Sequence, residues 1–110
     1  MFHGVLITHG TRVAKWSGMT ARAEMDTYGC SGVTGHCHRT SIYRKTDMLH
    51  DLIWLENGCL CDLNPSYMTS TPNWQHAFTV GEFIKADDRF HLNLVNIPKG
   101  KILYEGRLFD

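Results

Sequence analysis

Val5-Leu6-Ile7-Thr8-His9-Gly10 is the stretch from which the rest of the chain is read. A short apolar, partly β-branched run that ends in His-Gly reads as a buried strand emptying into a loop, with His9 at its C-terminal end. Residues 11–19 are mixed and broken by Gly18. The following Thr20-Ala-Arg-Ala-Glu-Met-Asp-Thr-Tyr28 is a good helix former, with Thr20 as its cap and Gly29 as its stop. Cys30-Ser-Gly-Val-Thr34 predicts a second short strand, which also ends at a Gly-His pair, Gly35-His36.

Beyond residue 39 the pattern changes. Residues 40–46, 52–56, 77–84, 90–97 and 101–109 are rich in β-branched and aromatic residues with partial alternation, so each predicts a strand. Asn64-Pro65-Ser66 and residues 69–73 read as a turn and a longer loop, and residues 96–100 as a hairpin connection. No internal repeat or linker interrupts this order. A strand, loop, helix and strand followed by strands predict an α/β layered fold with one main helix. Its C-terminal half is β-rich, and the last strands form or extend an antiparallel sheet.

A chain of 110 residues has room for one core, so residues 1–110 are expected to form a single domain or part of one. Eleven basic side chains balance eleven acidic ones. A neutral chain has no long-range field with which to grip nucleic acid non-specifically or to seek anionic lipid. Apolar runs such as Val5-Leu6-Ile7 are far short of the roughly 20 residues that span a bilayer, so no membrane partner is expected. The N-terminus lacks the basic start and apolar centre of a secretory signal, and a cytoplasmic location follows. Cys30, Cys37, Cys59 and Cys61 are then expected as reduced thiols, with Cys59 and Cys61 on one face of an apparent strand.

The densest chemistry lies in Gly35-His36-Cys37-His38-Arg39. Two imidazoles one residue apart at a strand end can aim at two neighbouring metal ions, although a surface pair in a chain with seven histidines would look the same. His9 also stands just past a predicted strand, where ligand sites of α/β sheets collect. The order strand-His-Gly, helix, strand-Gly-His-x-His resembles the last two motifs of the calcineurin-like metallophosphoesterase superfamily, including its phage-encoded members. Trp54-Leu55-Glu56-Asn57-Gly58-Cys59 resembles the strand after Gly-His-x-His, with Asn-Gly-Cys where the family commonly has an Asn-x-Gly-Ser-like turn. Residues 76–82 and the strands after them resemble its closing strands.

That resemblance implies the C-terminal part of a layered α/β metallophosphoesterase sandwich. It also implies a hydrolase that cleaves phosphomonoesters or phosphodiesters with two divalent cations, Mn, Fe, Zn or Ni. By motif position His9 and His36 would ligate one metal and His38 the other. All three donate only when unprotonated, so activity should fall as pH drops through the imidazole range. Arg39 and Arg12 flank the ligands and are candidate phosphate clamps. Trp16, Trp54 and Trp74 are expected in core or rim packing. The substrate is a phosphate ester, with nucleic acid favoured by the phage resemblance; the location would then be the host cytoplasm.

The motifs of the family's first half, Asp-x-His, Gly-Asp-x-x-Asp and Gly-Asn-His with an acidic residue, do not occur in this chain. Neither the bridging aspartate nor the usual general acid is present, and no catalytic residue is identified. The chain is therefore expected to be inactive alone and to need a complementary N-terminal chain. Two other readings stand beside this one. The first is a structural zinc module built from Cys30, His36, Cys37, His38, Cys59 and Cys61, against which the Cys-x-Cys and His-Cys-His spacings argue. The second is a non-catalytic remnant that self-associates or binds a partner through the faces a missing half would cover.

Overall fold

A computed structural model describes every residue except Met68, Thr69 and Asp88, so the first residue of the loop expected over 69–73 lies outside the described residues. Among the described residues the elements run β1 (Val5–Thr8), α1 (Met19–Tyr28), β2 (Ser31–Thr34), β3 (Thr40–Thr46), β4 (Asp51–Asn57), β5 (Ala77–Ile84), β6 (Arg89–Asn96), β7 (Ile102–Tyr104) and β8 (Arg107–Phe109). The main sheet has the order β1-β2-β4-β3, in which β1, β2 and β4 are parallel and β3 pairs antiparallel with β4. The hairpins β5-β6 and β7-β8 form separate ladders. The result is a small α+β domain, rich in strand, with one helix.

Alternation along the strands assigns the two faces of the main sheet. Trp54 of β4 is fully buried with Ala21 and Met25 of α1, and Leu6, Tyr43 and Leu52 pack around them. Leu55 of β4 and Val5 of β1 are buried on the opposite side with Leu92 of β6, against Val33, Ile53, Phe83, Phe90 and Leu94. Helix, sheet and the β5-β6 hairpin thus make three layers. The parallel pairing of Thr8 with Thr34 brings the ends of β1 and β2 out side by side.

Several local expectations change. Thr20 does not cap α1: the helix starts at Met19, Gly18 holds the cap position, and Thr20 Oγ1 accepts the Ala14 N–H at 2.9 Å. The buried Glu56 carboxylate supplies the acceptor instead. It takes the Gly18 N–H at 2.8 Å, placing a carboxylate at the positive end of the helix dipole. Gly29 does end the helix in the left-handed conformation, and its N–H returns to the Met25 carbonyl at 2.7 Å.

The single strand expected over 101–109 is the hairpin β7-β8. Glu105 and Gly106 both have positive φ, 50° and 76°, as a two-residue hairpin turn with the proper twist demands. Residues 96–100 form a 3-10 turn, Pro98–Gly100, leading from β6 to β7 rather than joining partners in one ladder. Cys59 and Cys61 lie beyond β4, in an isolated bridge and a bend, so strand alternation does not place them. Trp16 is 66% exposed, with Lys15 over its ring, rather than packed in core or rim. No helix among the described residues is long and apolar enough to cross a membrane.

Candidate metal centre

Parallel β1 and β2 end level, and the backbone contact continues past their last residues: the N–H groups of Gly35 and His36 both donate to the His9 carbonyl, at 3.3 and 2.9 Å. Gly10, at φ 78°, lets the chain leave that edge. A Cβ there would stand 2.5 Å from Thr34 Cγ2, which explains why glycine follows the histidine. The two side chains then meet. His9 Nε2 lies 3.1 Å from His36 Nδ1, with ring centroids 5.0 Å apart. Two imidazoles on one tetrahedral cation, each about 2.0–2.1 Å from it, stand about 3.3 Å apart, so the observed spacing is close to that bite. One ring's N–H donates to the other's lone pair.

His36 and His38 flank a tight turn in which the His38 N–H donates to the Gly35 carbonyl at 3.1 Å. Cys37 between them faces inward, 4% exposed, with its thiol on Glu56 Oε1 at 3.2 Å. Burial pushes the Cys37 thiol pKa up, and the Glu56 carboxylate adds to that. His38 has a left-handed backbone, φ 61°, and its ring stands edge-on to Trp74 at 4.6 Å between centroids. Its Nδ1 lies 3.8 Å from Cys61 Sγ, and the ligand atoms of His38, Cys59 and Cys61 all lie within 4.8 Å of one another, a group that could hold a metal ion. Burial, followed by the neighbouring Cys61 thiol, pushes Cys59 up to about 11.

The structure therefore brings His9 and His36 together and turns His38 toward Cys59 and Cys61. The six-residue zinc set falls apart. Cys30 precedes β2 and sits at the opposite end of the strand from His36, Cys37 is in the interior on Glu56, and His36 is on His9. Arg39 and Arg12 are both engaged by the protein. Arg39 is 6% exposed, and its terminal nitrogens donate to the carbonyls of Ala14 and Lys15 in the loop before α1, holding that loop rather than facing a substrate. Arg12 Nε lies 3.4 Å from the buried Glu24 carboxylate, and Arg12 also donates to the Ala23 carbonyl. Sequence reasoning passes over Gln75 and His76, which hold the cysteine segment. Their contact with Cys59 and Cys61 spans a loop with no periodic signal.

All four cysteines are free, and their settings differ enough to order their reactivity. Cys61 is exposed whereas Cys37 is buried, hydrogen-bonded and raised in pKa. Brief treatment of the folded chain with iodoacetamide near neutral pH is expected to modify Cys61 at least about tenfold faster than Cys37. Peptide mass spectrometry reads the order, and equal labelling before unfolding would contradict the burial of Cys37.

No family model matches this chain, and neither a curated protein nor a solved structure matches it.

Proposed function

We propose that this chain is the metal-holding C-terminal part of a metal-dependent phosphoesterase, a layered α/β domain that works on phosphate esters in the cytoplasm. The observation that carries the reading is the 3.1 Å approach of His9 Nε2 to His36 Nδ1 at the carboxyl edge of two parallel strands. Adjacent strands hold the two donors at nearly the bite of one cation, while His38, which the resemblance assigns to a second, is turned away from them toward Cys59 and Cys61. A pair of divalent cations would supply charge neutralisation for the phosphoryl oxygens and activation of the nucleophile. This chain's part is to present imidazole ligands from the edge of the sheet. The loop before α1 is fixed beside that edge by Arg39 and by the Glu56 contact to Gly18. The carboxylates that complete such a centre would come from a complementary chain, and the substrates proposed include nucleic-acid phosphodiesters.

Phenylphosphonate, a phosphate mimic that cannot be hydrolysed, tests the reading. Titrated calorimetrically into the chain in excess Mn²⁺, it is expected to bind, and to bind at least about tenfold more weakly without the metal or in the His36→Ala variant. Metal-dependent binding that persists in His36→Ala, or no binding to the metal-loaded chain, would overturn it.

A further inference from the structure

Beyond the phosphoesterase reading, and standing on separate geometry, we infer that His38, Cys59 and Cys61 form a thiolate-rich zinc site with an open fourth coordination position. Their ligand atoms lie within 4.8 Å of one another, with His38 Nδ1 and Cys61 Sγ at 3.8 Å. Donors on a tetrahedral zinc, with Zn–S about 2.3 Å and Zn–N about 2.0–2.1 Å, stand about 3.6–3.8 Å apart. Closure onto the ion therefore draws the donors together by no more than about 1 Å.

The three donors come from segments already stitched together by backbone. The Gln75 N–H donates to the His38 carbonyl at 2.9 Å, the Cys59 N–H donates to the Gln75 carbonyl at 2.9 Å, and the Ala77 N–H donates to the Cys59 carbonyl at 3.2 Å. One short stretch before β5 thus touches the histidine turn on one side and the cysteine segment on the other. The His76 ring contacts the Cys61 carbonyl through Nε2 at 2.5 Å and fixes the second cysteine, while Trp74 sets the plane of the His38 ring. The left-handed backbone of His38, a conformation that costs a non-glycine residue stability, is held in place by the same contacts. Donors held on stitched backbone are what a metal site needs before the ion arrives.

The donor set decides the metal. Two sulfurs and one imidazole are soft and borderline ligands, which favour Zn²⁺ over the oxygen-seeking Mn²⁺ or Mg²⁺. On binding, each thiol gives its proton to solvent and its sulfur lone pair to the ion. Cys61 is exposed, so the fourth position faces water and is left to a water molecule or an anionic ligand. The ion ties the excursion between β4 and β5 to the turn that carries His36 and His38.

Cobalt(II) titrated into the reduced chain reads this site directly. Sulfur-to-cobalt charge-transfer absorption should grow to saturation at one equivalent. It should vanish on adding one equivalent of Zn²⁺ and survive a large excess of Mn²⁺. Cys61→Ser, at an exposed position, should abolish the absorption and weaken Zn²⁺ binding on the order of 100-fold or more, as should Cys59→Ser and His38→Ala. His9→Ala and Cys30→Ser should leave it unchanged, which separates failure here from failure of the His9–His36 reading. Circular dichroism of each metal-free variant shows whether it folds, and Cys61→Ser decides the matter if Cys59→Ser does not fold. Absence of charge-transfer absorption in the wild type, or its persistence in folded Cys61→Ser, overturns the inference.

Discussion

Replacing Trp54 with alanine is expected to cost about 3–5 kcal/mol of folding free energy, the range for removing a large aromatic from a filled core. Trp54 is fully buried in the middle of β4, between α1 and the sheet. Its ring stacks on Tyr28 at 6.0 Å with the planes 11° apart, and its Nε1–H donates to Thr34 Oγ1 at 2.5 Å. Opposite it, β2 has Gly32, where a Cβ would lie 2.5 Å from the ring and 2.8 Å from the Leu6 carbonyl oxygen. The sequence has cleared a side chain from the neighbouring strand to admit the indole. Alanine at 54 loses the packing, leaves a cavity that Gly32 cannot fill, and strips the partner from a threonine hydroxyl that is 2% exposed. Total stability for a domain of this size is about 5–15 kcal/mol, so the variant should lose much of its margin. Urea unfolding followed by far-ultraviolet circular dichroism measures the change. A loss under about 1 kcal/mol would contradict the packing described for the helix face.

The parts of this architecture that are legible in sequence are those specified by short-range chemistry. The apolar run at Val5, the glycine after Tyr28 and the Gly-His after Thr34 fix β1, the end of α1 and the end of β2, and those boundaries carry His9 and His36 to one edge. Long-range pairing is not legible. Nothing in the strand patterns distinguishes a sheet ordered β1-β2-β4-β3 from other orders, because β4 is apolar on both faces and could sit beside several partners. Thr20 has the local signature of a cap, yet its hydroxyl serves the loop before the helix, and a glutamate from β4, distant in sequence, takes the role at the helix end. Arg39 resembles a phosphate clamp for a similar reason. A guanidinium beside a ligand motif has the same sequence signature whether it meets a substrate or two carbonyls of its own chain. Cys59 and Cys61 read as strand residues from their spacing even though Asn57-Gly58 already marks the end of β4, because no local signal shows that the chain beyond it pairs with Gln75 and His76.

The His36→Ala variant should separate metal binding from folding. In the metal-free chain the His9–His36 contact is a single hydrogen bond, worth about 1 kcal/mol, and His9 is exposed, so either ring can be removed without unfolding the domain. With a cation the same atoms become half or more of the protein's ligands. Losing one should raise the dissociation constant on the order of 100-fold or more, since even residues that only orient metal ligands are worth about 10–100-fold. Linkage converts that into a thermal shift. Mn²⁺ at about 100 times the wild-type dissociation constant stabilises the native state by about 2.7 kcal/mol, which at roughly 4 °C per kcal/mol raises Tm by about 10 °C. At the same Mn²⁺ concentration a 100-fold weaker variant gains about 0.4 kcal/mol, a rise of about 2 °C. His50→Ala, which alters only an exposed histidine paired with Asp47 in the β3-β4 turn, should keep the full shift. Mn²⁺ is the right probe because a site of two thiolates and one imidazole discriminates against it, so the shift reports the histidine pair alone. A Tm rise undiminished in His36→Ala would place the cation elsewhere and remove the pair from the metal centre.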